Sequence, residues 1–228
     1  MFRSAGRDAQ RYRAHYPDAV DNPRLTDNIR FFRNEIGCYP ARETIDEVHR
    51  RWRGDHAHLE ASHSFIQWLF PIQEAGVNPA AQVLQKHEIA TLREDPQAIL
   101  RLKRSFDMML DFYGFGFADV GYTLPIVTLV HPERQFRNLY WNGHNYLRIT
   151  RILKCLGEFG LEDYKVAWLD ALHREIYVTK RLAACQSSFE QYWVHTVYDD
   201  GRRAALINRI PKPPPKPSCW ERLCACFK

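Results

Sequence analysis

The chain of 228 residues is 45% hydrophobic and 13% aromatic, enough to bury one sizeable core and too apolar for disorder over most of its length. No apolar run approaches the roughly 20 residues that a membrane-spanning helix needs, and the first fifteen residues lack the hydrophobic segment of a secretory signal. We therefore expect the protein in the cytosol, where its six cysteines stay reduced and form no disulfide framework.

The net charge of +5 comes from the end of the chain. Residues 201–228 carry seven basic residues and one acidic residue, which leaves residues 1–200 with a net charge of −1. A nucleic-acid-binding domain usually carries its basic excess on the fold itself, because phosphate neutralisation supplies most of the affinity. The balanced charge of residues 1–200 therefore argues against nucleic acid as a partner.

The chain begins with an irregular segment. Residues 1–22 are polar, contain several arginines and lack periodicity, so we expect a flexible arm ahead of a helical domain over residues 23–207. Apolar residues at helical spacing predict one helix through residues 28–36 and a second from Ile45 to Trp52, with Thr44 as its cap.

The segment HSFIQWLFPIQEAGVNP, residues 63–79, is apolar on almost every side of a short helix that Pro71 ends. Such a helix is normally buried at the centre of a protein, and we interpret it as core. A peptide groove lined by aromatic residues such as Trp68 would give the same pattern, so that alternative stays open.

The middle of the chain predicts two more helices, one over residues 87–94 and one from Pro96 to Tyr113, which Gly114 ends. Periodicity is then lost. The stretch near 120–130 is rich in β-branched residues and predicts a short strand or an extended loop. A further helix is expected over residues 132–140.

The segment NGHNYLRITRILKCLGEFG, residues 142–160, has the strongest helical pattern. Asn142 is placed to cap its start and Gly160 to end it in a left-handed turn. Its large apolar residues repeat at steps of three and four, while its cations Arg148, Arg151 and Lys154 fall on the other side. We expect an apolar face toward the core and a cationic face toward solvent.

Helical patterns also cover residues 161–178 and 187–206, and no repeat of fixed period is present. The sequence therefore predicts an all-α fold, a compact bundle of roughly eight or nine helices with one short extended segment near 120–130.

Motifs for known catalytic chemistries are missing: the sequence has no phosphate-binding loop, dinucleotide-binding glycine pattern, nucleophile elbow or zinc-protease motif. His56, His58 and His63 form the densest histidine cluster, but their spacing does not place them on one helical turn. We predict no catalytic residue, no metal site and no cofactor, and interpret the protein as non-enzymatic.

Three long motifs carry a resemblance to a known family. NIRFFRNEI, HSFIQWLFPIQEAGVN and HNYLRITRILKCLGEFG resemble, in order and spacing, the conserved region of the opioid growth factor receptor family, over roughly residues 25–200. The resemblance implies a receptor for a short enkephalin-type peptide that acts in growth regulation, with pools on membranes and in the nucleus. The short segment after the helical region makes the chain look like a short, receptor-like paralogue.

A zwitterionic peptide with aromatic side chains needs a cation, a carboxylate and aromatic walls. Arg148 and Arg151 beside His144 and Tyr146 would supply the cation, and Glu60 with Trp68 the carboxylate and part of the wall, where the two motifs meet in space. The alternatives are that both arginines are ordinary surface charges, and that the protein is a membrane-tethered helical interaction adaptor without peptide-receptor activity.

The end of the chain divides into a basic, Pro-rich linker over residues 208–218 and a cysteine-rich tail over residues 219–228. Pro211–Pro217 matches a ligand of an SH3-type domain, although a stiff spacer gives the same composition.

Three cysteines of the tail, Cys219, Cys224 and Cys226, stand beside apolar and basic residues. They lack the fourth ligand of a zinc site, and the last four residues do not begin with the cysteine that prenylation needs. We therefore predict S-palmitoylation, which with the basic residues would hold the protein at the cytoplasmic face of a membrane, with an unmodified tail as the alternative.

Overall fold

The computed structural model describes the backbone of residues 2–212 and the side chains of residues 6–212. This part of the chain is mostly helical, which confirms the all-α prediction. The α-helices are α1 (Phe2–Arg13), α2 (Asp27–Phe32), α3 (Ile45–Trp52), α4 (His56–Ala61), α5 (Ile66–Leu69), α6 (Lys86–Arg93), α7 (Pro96–Tyr113), α8 (Glu133–Trp141), α9 (His144–Glu158), α10 (Glu162–His173), α11 (Gln186–Ser188) and α12 (Asp200–Asn208). The described residues hold more helices than expected, because α1 lies in the predicted arm and because α4 and α11 are too short to show a helical period.

Local sequence signals set the bounds of the long helices. Asp95 caps α7 by accepting two backbone N–H groups of its first turn, and Gly114 ends α7 in the left-handed conformation at φ +85°. Glu47 accepts the backbone N–H of Thr44 at 2.9 Å and so completes a capping box at the start of α3. The predicted cap of α3 and the predicted end of α7 are therefore confirmed.

The extended segment is a small antiparallel hairpin of β1 (Phe115–Phe117) and β2 (Ile126–Thr128). Phe115 pairs with Thr128, and Phe117 pairs with Ile126. The second strand lies in the segment that was expected to be extended. Phe115 is fully buried, so the hairpin covers one end of the helical core.

Helix α9 lies at the centre of the domain and is buried on almost every side. Ile149, Ile152 and Leu153 are fully buried on one face. The expectation of a solvated cationic face is wrong, because Arg148 is only 5% exposed and Lys154 only 3%. Carbonyl and carboxylate oxygens from residues 59–74 and from α1 satisfy these charges, which allows the basic face to be buried.

The start of α9 also differs from expectation. Gly143, which has no side chain that could accept a backbone N–H, occupies the cap position. Asn142 instead donates its side-chain amide to Oδ1 of Asn138 at 2.7 Å, within the last turn of α8. The predicted end is confirmed, since Gly160 follows the helix with φ +74°.

The prediction of a flexible arm over residues 1–22 is corrected by helix α1. Tyr12 and Tyr16 are fully buried, and Oη of Tyr12 donates to the backbone carbonyl of Lys154 at 3.0 Å. Among the side chains of α1 that the structure describes, only Ala9 and Tyr12 are buried, which is too few to show a helical period in the sequence.

The predicted helix over residues 187–206 is broken. A π-helical turn covers Phe189–Trp193, a 3-10 turn covers Val194–Thr196, and Val197 is extended. Asp199 then starts α12 by accepting the backbone N–H of Arg202. The helical period alone could not show this break, because Phe189, Trp193 and Val197 keep a spacing of four across it.

The linker and the tail fall largely outside the described residues, which end at residue 212. The SH3-type motif at Pro211–Pro217 and acylation of the tail cysteines stay predictions. Within residues 2–212, no helix combines the length and apolarity that crossing a membrane requires.

Candidate functional site

A groove of about 420 Å³ lies between α9 and the segment 63–77, and we call it the α9 groove. The two motifs that sequence analysis singled out therefore meet in space. Its apolar lining comes from Ile66, Ile72, Val77, Leu147 and Tyr192. Val77 and Leu147 are 87% and 74% exposed, so the groove has an apolar rim that faces solvent.

Arg151 is the cation of the α9 groove that is least engaged by the rest of the described chain. Its Nε donates to the backbone carbonyl of Phe70 at 2.8 Å, while its two terminal nitrogens make no hydrogen bond within the described chain. Burial lowers the pKa of Arg151, because desolvation disfavours its charge. A half-buried guanidinium without an ion pair is suited to bind an anionic group such as a carboxylate.

Gln67 places an acceptor in the same groove. It is 5% exposed, and its Oε1 has no hydrogen-bond partner in the described chain. A Cβ at Gly76 would lie 3.1 Å from Nε2 of Gln67 and 3.2 Å from Nη1 of Arg151. Glycine at this position therefore lets the loop pack closely against both side chains. Gln67 has an unpaired acceptor, Oε1, and Arg151 has two unbonded terminal nitrogens.

Carboxylates lie at the α1 end of the groove. Nζ of Lys154 donates to Asp8 at 2.9 Å and to Glu74 at 2.7 Å. The Lys154 side chain is almost fully buried, whereas the Asp8 side chain is 47% exposed. Together with Arg151 these residues present both signs of charge along one groove.

Arg148 lines the groove, but its guanidinium is already engaged. It donates to the backbone carbonyls of Leu59 at 3.0 Å and Ser62 at 2.6 Å, and it lies 3.2 Å from Nδ1 of His63. The cation thus satisfies carbonyls at the C-terminal end of α4 and ties α4 to α9. Its geometry supports a structural role.

Glu60 and His144 form the partition beside the groove. Nε2 of His144 lies 2.8 Å from Oε1 of Glu60, and burial lowers the pKa of His144 although Glu60 opposes the shift. The other carboxylate oxygen of Glu60 accepts from the amides of Asn138 at 2.7 Å and Asn145 at 3.1 Å. His144 lines the α9 groove, whereas Glu60 lines a separate pocket between α4 and α8.

Tyr146 and Trp68 do not line the α9 groove. The Tyr146 ring packs edge-on against Trp193, with 6.0 Å between ring centroids. Trp68 is 4% exposed and packs against Phe31 in the core. Of the six residues predicted for ligand binding, the groove therefore contains His144, Arg148 and Arg151. Sequence analysis missed Gln67 and Gly76, because both lie in a segment whose apolar pattern indicated core.

The remaining reactive side chains are accounted for. Nε2 of His56 lies 2.7 Å from Oδ2 of Asp111, and no group of three or more potential ligands within the described part of the chain could hold a metal ion. Cys38, Cys155 and Cys185 are free and buried. Burial raises the pKa of Cys38 to about 11 and that of Cys185 to about 12, so both stay protonated at neutral pH.

Comparison with known proteins gives a family match that covers most of the chain. The model of the opioid growth factor receptor (OGFr) conserved region matches residues 21–213. The chain belongs to the opioid growth factor receptor family. The chain is 37% identical over 205 residues to opioid growth factor receptor-like protein 1 of Rattus norvegicus, covering 89% of this chain and 44% of the relative.

Two further members of the opioid growth factor receptor family show the same range of similarity. The opioid growth factor receptor of Homo sapiens is 37% identical over 206 residues, which is 90% of this chain and 30% of that protein. Opioid growth factor receptor-like protein 1 of Xenopus tropicalis is 35% identical over 206 residues, with 89% and 40% covered. The chain therefore spans less than half the length of these relatives. No solved structure matches it.

Both walls of the α9 groove lie inside the region that defines the opioid growth factor receptor family. Asp8 of α1 precedes that region and lies outside the match. The relatives are named opioid growth factor receptor or opioid growth factor receptor-like protein 1.

Proposed function

We propose that the chain is a non-enzymatic, receptor-type domain that binds a short enkephalin-type peptide in the α9 groove. The observation that carries the proposal is Arg151, whose half-buried guanidinium faces the groove without a carboxylate within 4.0 Å among the described residues. It is placed to bind the C-terminal carboxylate of the peptide through charge-assisted hydrogen bonds.

The rest of the groove fits the other parts of such a ligand. Oε1 of Gln67 has no partner in the described chain and would accept a peptide N–H once a small movement of the side chain exposes it, and Asp8 at the far end carries a half-exposed carboxylate for a terminal amine. Val77, Leu147 and Tyr192 supply an apolar rim for the side chains of the peptide. A volume of about 420 Å³ lies in the range of small-ligand sites, so part of a pentapeptide extends along that rim.

The names of the relatives support a receptor role, and the signalling in growth regulation that the family resemblance implies would follow from such binding. Peptide binding to this chain is therefore the step to test first.

The test is calorimetric titration of the full chain with the enkephalin pentapeptide as free acid and as C-terminal amide. We expect the acid to bind at least about tenfold more tightly, because only the acid pairs with Arg151. Arg151→Met should reduce the affinity for the acid to that for the amide. Arg50→Met, at an exposed site away from the groove, should leave both affinities unchanged.

Absence of heat with wild-type protein at high micromolar peptide would contradict peptide binding. Equal affinity for acid and amide, retained in Arg151→Met, would place the peptide elsewhere on the protein.

A further inference from the structure

A second pocket, of about 430 Å³, lies between α4 and α8, and we call it the α4–α8 pocket. Its lining includes His56 and Glu60 from α4, Phe112 from α7, and Arg134, Arg137 and Trp141 from α8. This pocket lies on the other side of the Glu60–His144 contact from the α9 groove, and the proposed peptide binding does not use it.

Two exposed aromatic side chains stand at the end of α8. Trp141 is 74% exposed and Tyr140 is 58% exposed, with their ring centroids 4.9 Å apart. Helix α8 is anchored by other residues, because Phe136 and Leu139 are the ones it buries. Adjacent exposed aromatic rings that packing does not require are typical of a protein–protein contact surface.

The charges that lack a partner at this pocket are positive. Arg134 and Arg137 lie one turn apart on α8, and neither makes an ion pair or a hydrogen bond with another described residue. Glu60, the acidic residue of the pocket lining, is already engaged, since it accepts from two asparagine amides and contacts His144. Asp111, which contacts His56, and Glu133 of α8 lie outside the lining. The surface is therefore complementary to an acidic ligand that carries an apolar group.

We propose that the α4–α8 pocket binds an acidic linear segment of a partner protein. An apolar side chain of that segment enters the pocket against Phe112 and Trp141, and flanking carboxylates pair with Arg134 and Arg137. Tryptophan and arginine are the residues that most often carry the binding energy of such interfaces. RNA is the poorer fit, because the net charge of residues 1–200 is −1 and two arginines neutralise few phosphates.

The test is fluorescence polarisation with the full chain and end-blocked, fluorescein-labelled nonapeptides of Asp and Glu. One set places a Leu-Phe pair at each successive position, a second set replaces the pair by Ala-Ala, and a third replaces the acidic residues by Lys. At least one acidic peptide with the apolar pair should bind. Its Ala-Ala and Lys counterparts should bind at least about tenfold more weakly.

Variants then locate the site. Trp141→Ala and the double variant Arg134→Glu/Arg137→Glu should each weaken binding by at least about tenfold. The matched control Arg24→Glu/Arg50→Glu changes the net charge equally at exposed arginines outside the pocket and should bind like wild type. All five positions are exposed, and circular dichroism checks that each variant is folded.

The proposal is overturned if no acidic peptide of the set binds, or if the Lys peptides bind as well as the acidic ones. It is equally overturned if the control variant loses binding to the same extent. A single-stranded oligouridylate that binds more tightly than every acidic peptide, with the same loss in Arg134→Glu/Arg137→Glu, would replace it by an RNA surface.

Discussion

Oε1 of Glu60 lies 2.8 Å from Nε2 of His144, and this contact forms the partition between two pockets on one side of the domain. Glu60 lines the α4–α8 pocket and His144 lines the α9 groove. Because the second carboxylate oxygen of Glu60 also accepts from Asn138 and Asn145, one side chain joins α4, α8 and α9.

Replacement of Glu60 by alanine should therefore destabilise the fold. Two amide donors lose their acceptor and His144 loses its carboxylate contact, and we expect a loss of about 2–4 kcal/mol in the free energy of unfolding. Urea denaturation measures this loss. Glu60→Gln, which keeps one acceptor oxygen, should lose less, and Glu35→Ala at an exposed site should stay within about 0.5 kcal/mol of wild type. Equal stability of Glu60→Ala and Glu35→Ala would contradict the bridging role.

Replacement of Arg148 should lower the stability of the fold more than it affects ligand binding directly. Arg148→Met leaves the carbonyls of Leu59 and Ser62 without their donor in a buried site, and we expect a loss of about 2–4 kcal/mol. The exposed Arg50→Met serves as the control. A variant that keeps wild-type stability in urea and loses peptide affinity would instead make Arg148 a ligand-binding residue.

Gly157 should be required for the docking of α1. A Cβ at this position would collide with Oη of Tyr12 and Nζ of Lys165, and it would lie 2.6 Å from the Tyr198 ring. Gly157→Ala should therefore loosen α1 and speed tryptic cleavage after Arg11 or Arg13. At Gly143, also adjoining α9, a Cβ would have no neighbour closer than 3.9 Å. The control is therefore Gly143→Ala, which should be cleaved at the wild-type rate. If Gly157→Ala is also cleaved at the wild-type rate, α1 tolerates the added methyl group.

Acid should weaken the fold through His49. Nε2 of His49 lies 2.8 Å from Oγ of Ser105, and burial lowers the pKa of His49 to about 4, although Asp46 opposes the shift. The unfolded chain has a higher histidine pKa, near 6.5, and so binds more protons between these values. The contribution of neutral His49 to the free energy of unfolding is therefore fully present above pH 6.5. It falls as the pH drops, by about 3 kcal/mol at pH 4.

The variant His49→Gln isolates this contribution because glutamine does not titrate. The stability difference between wild type and His49→Gln should shift by about 3 kcal/mol between pH 7 and pH 4 in urea denaturation. Burial also raises the pKa of Glu158 to about 6, which acts in the opposite direction in both proteins and cancels in the difference. Parallel pH profiles of the two proteins would rule out His49 as the source.

Helix bounds could be predicted where the signals are local. Thr44 with Glu47 starts α3, and Asp95, Pro96 and Gly114 delimit α7, all within a few residues of the helix they define. The apolar spacing of α9 likewise predicted its buried face.

Which polar side chains are buried could not be predicted in the same way. Arg148 and Lys154 are buried because oxygens about 80 or more residues away in the chain reach them, which no spacing on α9 reveals. The same holds for the candidate site. The sequence nominated two motifs for one site on the condition that they meet in space. Which of Arg148 and Arg151 keeps its two terminal nitrogens unbonded depends on where the carbonyls of residues 59–70 lie.

The central position of α9 has a consequence for biosynthesis. Its partners come from both ends of the domain, and the Tyr12–Lys154 hydrogen bond joins residues 142 positions apart. While the ribosome has released only the segments before α9, Oη of Tyr12 and the carbonyls of Leu59, Ser62 and Phe70 lack the partners that α9 supplies. The part of the interior that packs on α9 therefore forms only after α9 has emerged, and until then we expect the apolar segment 63–72 to be exposed to chaperones.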